Sequence, residues 1–105
     1  MTRIIYDKAQ YSLHLEGHAG CAKAGADIVC AGLSALTEAL LRQLQRRENW
    51  RVSSGVCRRE ALVHVQLYPG SRRAAQRARA LLETVCGGYL AIAEEYPEHV
   101  RVEVK

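Results

Sequence analysis

Apolar residues along this chain recur with two different periods, and the switches between them mark out seven elements. In "YSLHLE" Tyr11, Leu13 and Leu15 alternate with Ser12, His14 and Glu16. That is the period of a strand with one buried face. On this register His14, Glu16 and His18 share the other face. The preceding "RIIY" reads as a short strand, and Asp7 and Lys8 open a turn. From near Asp27 the period changes. Val29, Leu33, Leu36, Leu40 and Leu44 fall on one helical stripe, with Ala31, Ala35, Glu38 and Arg42 roughly opposite. The charged run "RQLQRREN" ends this helix.

"WRVSSGVC" and "EALVHVQLY" then read as a hairpin around Arg58 and Arg59. Ala61, Val63, Val65 and Leu67 take one face, and Leu62, His64 and Gln66 the other. Pro69 and Gly70 signal a turn, and Ser71 is placed to cap a second helix. Ala74, Ala78, Leu81, Leu82, Val85, Tyr89 and Ile92 share its apolar stripe, and Pro97 ends it. "VRVEV" closes the chain as a strand with Val100, Val102 and Val104 inward. Two amphipathic helices and a mixed sheet of about five strands predict an α+β, two-layer fold with both helices on one sheet face. The other face then meets solvent or a partner. A length of 105 residues suits a single domain spanning 1–105.

Composition narrows the function classes. The chain is 49% hydrophobic and 25% charged, an ordinary globular balance that argues against disorder. Its net charge of +4 permits an acidic partner without requiring one. One Trp, no Phe and five scattered Tyr give no aromatic platform for RNA, so nucleic acid is not required. No stretch approaches a membrane span, and "MTRIIYDKAQYSL" carries no secretory signal. A cytoplasmic location is expected, with the four cysteines at 21, 30, 57 and 86 reduced. None forms a CxxC pair, so no disulfide framework is expected.

The candidate chemistry lies in "GHAGCAKAGADIVCAGLSAL", residues 17–36. Asp27 is a good N-cap, which puts Cys30 at the third helical position. Unpaired N–H groups and the helix dipole favour a thiolate there, while the charge of Asp27 opposes it. Cys30, Ser34, Thr37 and Leu41 form a second stripe bordering the buried leucines. This stripe is either the wall of a substrate groove leading away from the thiol or a plain flank against a loop. His18 can take the thiol proton or pair with the thiolate. Gly17, Gly20 and Gly25 would let the 19–26 loop close over a peptide.

Blander readings stand beside this one. Cysteine is often a small buried hydrophobe. His18, Cys21 and Cys30, with His14 as a fourth, could hold zinc, but the spacing is looser than the pairs that structural zinc sites use. No metal or cofactor is assigned. Arg72, Arg73, Arg77 and Arg79 near the start of the second helix suit either a solvated face or a non-catalytic ribosome- or RNA-associated binding module.

"GHAG" followed by "GADIVCAGLSAL" resembles the ribosomal-processing cysteine protease family, the bacterial proteins called Prp. The matching positions are Gly17, His18, Ala19, Asp27, Ile28, Val29, Cys30, Ala31 and Ser34. The resemblance implies a cysteine endopeptidase with Cys30 as nucleophile and His18 as general base and acid. Gly17, Ala19, Asp27 and Ser34 would support them. Asp27 would cap the helix and could also help position His18, and Ser34 would bond a backbone carbonyl one turn back or else touch substrate. The resemblance also implies the substrate: a large-subunit ribosomal protein precursor that loses its N-terminal extension after an apolar, aromatic-containing segment. It implies a homodimer as well, in which a second copy could cover the open sheet face. Two positions depart from the family pattern. Cys21 stands where tyrosine is frequent. Gly32 stands where alanine is usual, weakening the helix by about 1 kcal/mol or permitting a close approach. His14, His64 and His99 read as surface residues, and Cys57 and Cys86 as core or half-buried thiols. Gly87 and Gly88 mark a kink or a close contact.

Overall fold

The computed structural model describes residues 1–17, 28–46, 48–57 and 61–105. Their elements follow the expected order: β1 (Thr2–Asp7), β2 (Ser12–Glu16), α1 (Ile28–Leu44), β3 (Trp50–Cys57), β4 (Leu62–Pro69), α2 (Arg72–Glu95) and β5 (Val100–Val104). The strands form one sheet in the order β3-β4-β2-β1-β5. Only the β1–β5 pair is parallel, since α2 must carry the chain back across the sheet before β5. The other pairs are antiparallel, so the sheet is mixed.

Register explains which side is covered. Ile4 faces Leu15, Tyr6 faces Leu13, and Leu13 faces Val65. All five lie on one face and are buried. Val29, Leu33, Leu40 and Leu44 of α1 and Ala78, Leu82, Val85 and Tyr89 of α2 join them in a single core cluster. Both helices therefore pack on that face, and the fold is the two-layer α+β arrangement the periodicities predict.

The helices pack closely at two glycines. A Cβ on Gly88 would lie 2.8 Å from both Leu36 methyl carbons, and one on Gly32 would lie 3.1 Å from Ile92 Cδ1. Gly88 is thus a close contact between the helices. Between the helices Thr37 Oγ1 donates to the Leu33 carbonyl at 2.8 Å and lies 2.6 Å from the Tyr89 hydroxyl. With the Thr37 proton directed to the carbonyl, the tyrosine hydroxyl donates. Burial pushes Tyr89 up to about 12, because the charged phenolate is disfavoured away from water. At the start of α2, Ser71 Oγ accepts from the Ala74 amide at 3.1 Å, the expected cap.

Three expectations need correction. Thr37 is buried instead of bordering the core, because its hydroxyl finds two partners there. Tyr11 packs against the core from a turn at φ 52, ahead of β2. Val104 is 45% exposed although Val100 and Val102 point inward. β5 is an edge strand, so its last residue has a strand neighbour on one side only.

Candidate active site

Cys30 is the third residue of α1, as the N-cap reading predicts, and is half-buried. Its neighbour Val29 points into the core, and Ile28 is exposed. From Cys30 a groove of about 410 Å³ runs along α1. Ser34, Thr37 and Leu41 continue its helical wall, so the second stripe is the side of a groove. Helical geometry sets this alignment, because side chains three and four residues apart stand one above another.

The floor comes from the sheet. Leu15, Val63 and Val56 are successive partners across β2, β4 and β3, and all three line the groove. Leu15 is buried, Val63 half-buried and Val56 55% exposed. Helix cover therefore ends partway across this row, leaving an apolar strip open to solvent. Such a strip can receive apolar side chains of an extended peptide. Glu38 adds a carboxylate at the rim.

Gly17 closes the end of the groove that holds Thr2 and Ala61. Its amide donates to the Ala61 carbonyl at 3.0 Å, and its carbonyl accepts from Thr2 Oγ1 at 3.2 Å. The residue has φ +89, and a Cβ there would run into the Met1 carbonyl oxygen. Only glycine meets both conditions. The backbone is thereby fixed immediately before His18.

His18, Ala19, Cys21 and Asp27 lie outside the described residues, as does the 19–26 loop. The His18–Cys30 pairing and the Asp27 cap are therefore not part of this geometry. Ser34 is exposed on the groove wall. The back-bond expected of it is made instead by Thr37. Among the other described thiols, Cys86 is buried and pushed up by desolvation and then by Glu83, while Cys57 is half-buried. A raised thiol in an apolar setting is a poor nucleophile near neutral pH. Among the described residues no group of three or more His, Cys, Asp or Glu could hold a metal, and no helix is long and apolar enough to cross a membrane. Two of the four arginines near the start of α2 are engaged within the fold: Arg77 pairs with Glu48 at 3.1 Å, and Arg79 stacks over Tyr11.

Sequence reasoning did not foresee the floor. Its signal is in β3, where the groove-side positions Val52, Ser54 and Val56 are all exposed. A strand without a clean apolar face is one whose sheet is only partly covered.

The chain matches the family model described as cysteine protease Prp over residues 1–101. No curated protein matches it. Among solved structures it is similar to a ribosomal processing protease Prp from S. aureus bound to a covalently linked product peptide. The TM-score is 0.86 at 23% identity, with all of both chains covered. The S. aureus protease with a substrate peptide gives a TM-score of 0.78 at 22% identity, again over the whole of both chains. SMU.848 from Streptococcus mutans gives 0.76 at 28% identity, covering 98% of this chain and 90% of that one. With a thiol in the first turn of a helix, at the mouth of a peptide-sized apolar groove, this chain belongs to the cysteine protease Prp family and is a cysteine protease.

Proposed function

We propose that residues 1–105 act as one endopeptidase domain that removes the N-terminal extension of a large-subunit ribosomal protein precursor. The observation that carries this reading is the position of Cys30, in the first turn of α1 at one end of an apolar groove. The related S. aureus protease binds a substrate peptide and, in a second structure, a covalently linked product peptide.

In this mechanism the Cys30 thiolate attacks the scissile carbonyl carbon. The carbonyl oxygen takes up negative charge, and amides of the first turn of α1 donate to it. His18 gives its proton to the leaving amine, the C–N bond breaks, and a thioester to Cys30 remains. Water then loses a proton to His18 and attacks the thioester, releasing the acid and the Cys30 thiolate. Gly17 fixes the backbone entering His18, and Ala19 follows it in the loop. Asp27 caps α1, and Ser34 contacts the peptide from the groove wall. Apolar side chains preceding the cut lie on Leu15, Val63 and Val56. The enzyme works in the cytoplasm as a homodimer and needs no cofactor.

The test is to mix the protein with its host's ribosomal precursor and follow intact masses. One cut, lost in Cys30→Ala and His18→Ala, is the expected result. An uncut precursor with the unaltered protein overturns the substrate assignment. Light scattering at micromolar concentration should give twice the chain mass.

A further inference from the structure

His14 and His64 are direct register partners on β2 and β4. Both point away from the helices, on the sheet face opposite the groove. Their Nδ1 atoms are 3.3 Å apart, with ring centroids 5.4 Å apart and planes inclined by 59°. On its far side His14 Nε2 lies 3.4 Å from Glu16 Oε2, and the other oxygen of Glu16 receives Arg3 Nη1 at 3.2 Å.

Each feature of this cluster fits a transition-metal ligand pair. Zinc holds imidazole nitrogens at about 2.0–2.1 Å with tetrahedral angles, which sets two ligand nitrogens roughly 3.3 Å apart. A ligating histidine gives its other ring N–H to a carboxylate, which fixes the tautomer and strengthens the lone pair. Glu16 stands where that carboxylate is needed, so the His14 Nδ1 lone pair faces His64. In the absence of an ion, His64 Nδ1–H donates to that lone pair. When an ion binds, the His64 proton moves to Nε2, and no net proton is released. His64 is exposed and the His14 side chain is 29% exposed, so water can complete the coordination.

We propose that His14 and His64 form a two-histidine site for zinc or a neighbouring late first-row divalent cation, oriented by Glu16. The site is separate from Cys30 and takes no part in peptide cleavage. An ion there ties the two central antiparallel strands together side chain to side chain, in addition to their backbone ladder.

Zinc chloride alone is the probe, titrated into the full chain by calorimetry at neutral pH, with thermal unfolding followed in parallel. Unaltered protein is expected to take up one zinc per chain at the pair, or one per two chains if two copies share an ion, and to melt at a higher temperature with zinc than without. His14→Gln and His64→Gln should each weaken uptake at least tenfold and abolish the zinc-dependent rise. Glu16→Gln should weaken it by about 10–100-fold, the usual effect of losing such a carboxylate. His99→Gln should change nothing. Circular dichroism of each variant confirms the fold. Zinc uptake in His14→Gln and His64→Gln equal to that of the unaltered protein overturns the proposal, as does no uptake by the unaltered protein at millimolar zinc. Precursor cleavage is read separately, so failure of this site and failure of the protease reading are distinguishable.

Discussion

The amide of Gly17 donates to the carbonyl of Ala61 at 3.0 Å, which ties the residue before His18 to the start of β4. This bond extends the β2–β4 ladder by one position, from Glu16 opposite Leu62 to the glycine at the end of the groove. Gly17→Ala would force a Cβ toward the Met1 carbonyl at a φ of +89. Strain of this kind costs about 1–3 kcal/mol. We expect a lower melting temperature and, because displacement of a catalytic group by about 1 Å can cost 10²-fold, a kcat lower by roughly that factor. Peptide cleavage kinetics beside thermal unfolding check both.

The groove floor should govern binding more than chemistry. Val56 is half open to solvent, so Val56→Asp leaves the fold nearly intact while removing an apolar contact for the peptide. Losing most of one valine contact costs about 1.5 kcal/mol. The expected outcome is a KM about tenfold higher with kcat little changed. A fall in kcat with KM unchanged would remove Val56 from the peptide-binding surface.

Tyr89 and Thr37 form a polar pair within the helix seam. Tyr89→Phe removes one hydrogen bond and leaves Thr37 bonded to Leu33, a loss of about 1 kcal/mol. Thr37→Val leaves the tyrosine hydroxyl buried without that partner and should cost more, about 1–3 kcal/mol. Chemical denaturation of both single variants and the double variant measures the coupling.

The same tyrosine sets an alkaline limit. Its folded-state value lies near 12, above the ordinary 10. A raised value means that the folded state keeps a proton the unfolded chain releases. The resulting stability is complete below pH 10 and disappears as pH rises towards 12. Burial also raises Tyr6 and Cys86, which act in the same direction. Urea midpoints should therefore fall above pH 10, and less steeply in Tyr89→Phe. A midpoint independent of pH between 9 and 11 would contradict this.

Adjacent glycines in α2 should respond oppositely. Gly87 faces open space, and alanine there gains helix propensity of about 1 kcal/mol. Gly88 meets the Leu36 methyls, so alanine must displace them and should lose that gain. Melting temperatures of the two variants provide the comparison.

These residues also show where the sequence is informative. Leu13, Leu15, Val65 and Leu67 reveal their face by alternation, and Ser71 reveals its cap by position. Cys30, Ser34, Thr37 and Leu41 fall into line on a helix by their spacing alone. Whether they line a groove depends on how far the helices cover β3, a tertiary fact that strand periodicity does not contain. Thr37 departs from its expected place because its partner, Tyr89, is 52 residues away. The helix register makes both threonine and serine plausible back-bonders, and only the packing selects Thr37. The histidine pair is hidden for the same reason: His14 and His64 meet through strand register across 50 residues.

The role of Cys30 as nucleophile is open to covalent capture. A peptide matching the segment before the cut, ending in a thiol-reactive electrophile in place of the scissile carbonyl, is incubated with the protein, and the adduct is mapped by mass spectrometry. One equivalent on Cys30 is expected, with labelling lost in Cys30→Ala. Adduct on Cys21, or undiminished labelling of Cys30→Ala, would contradict it.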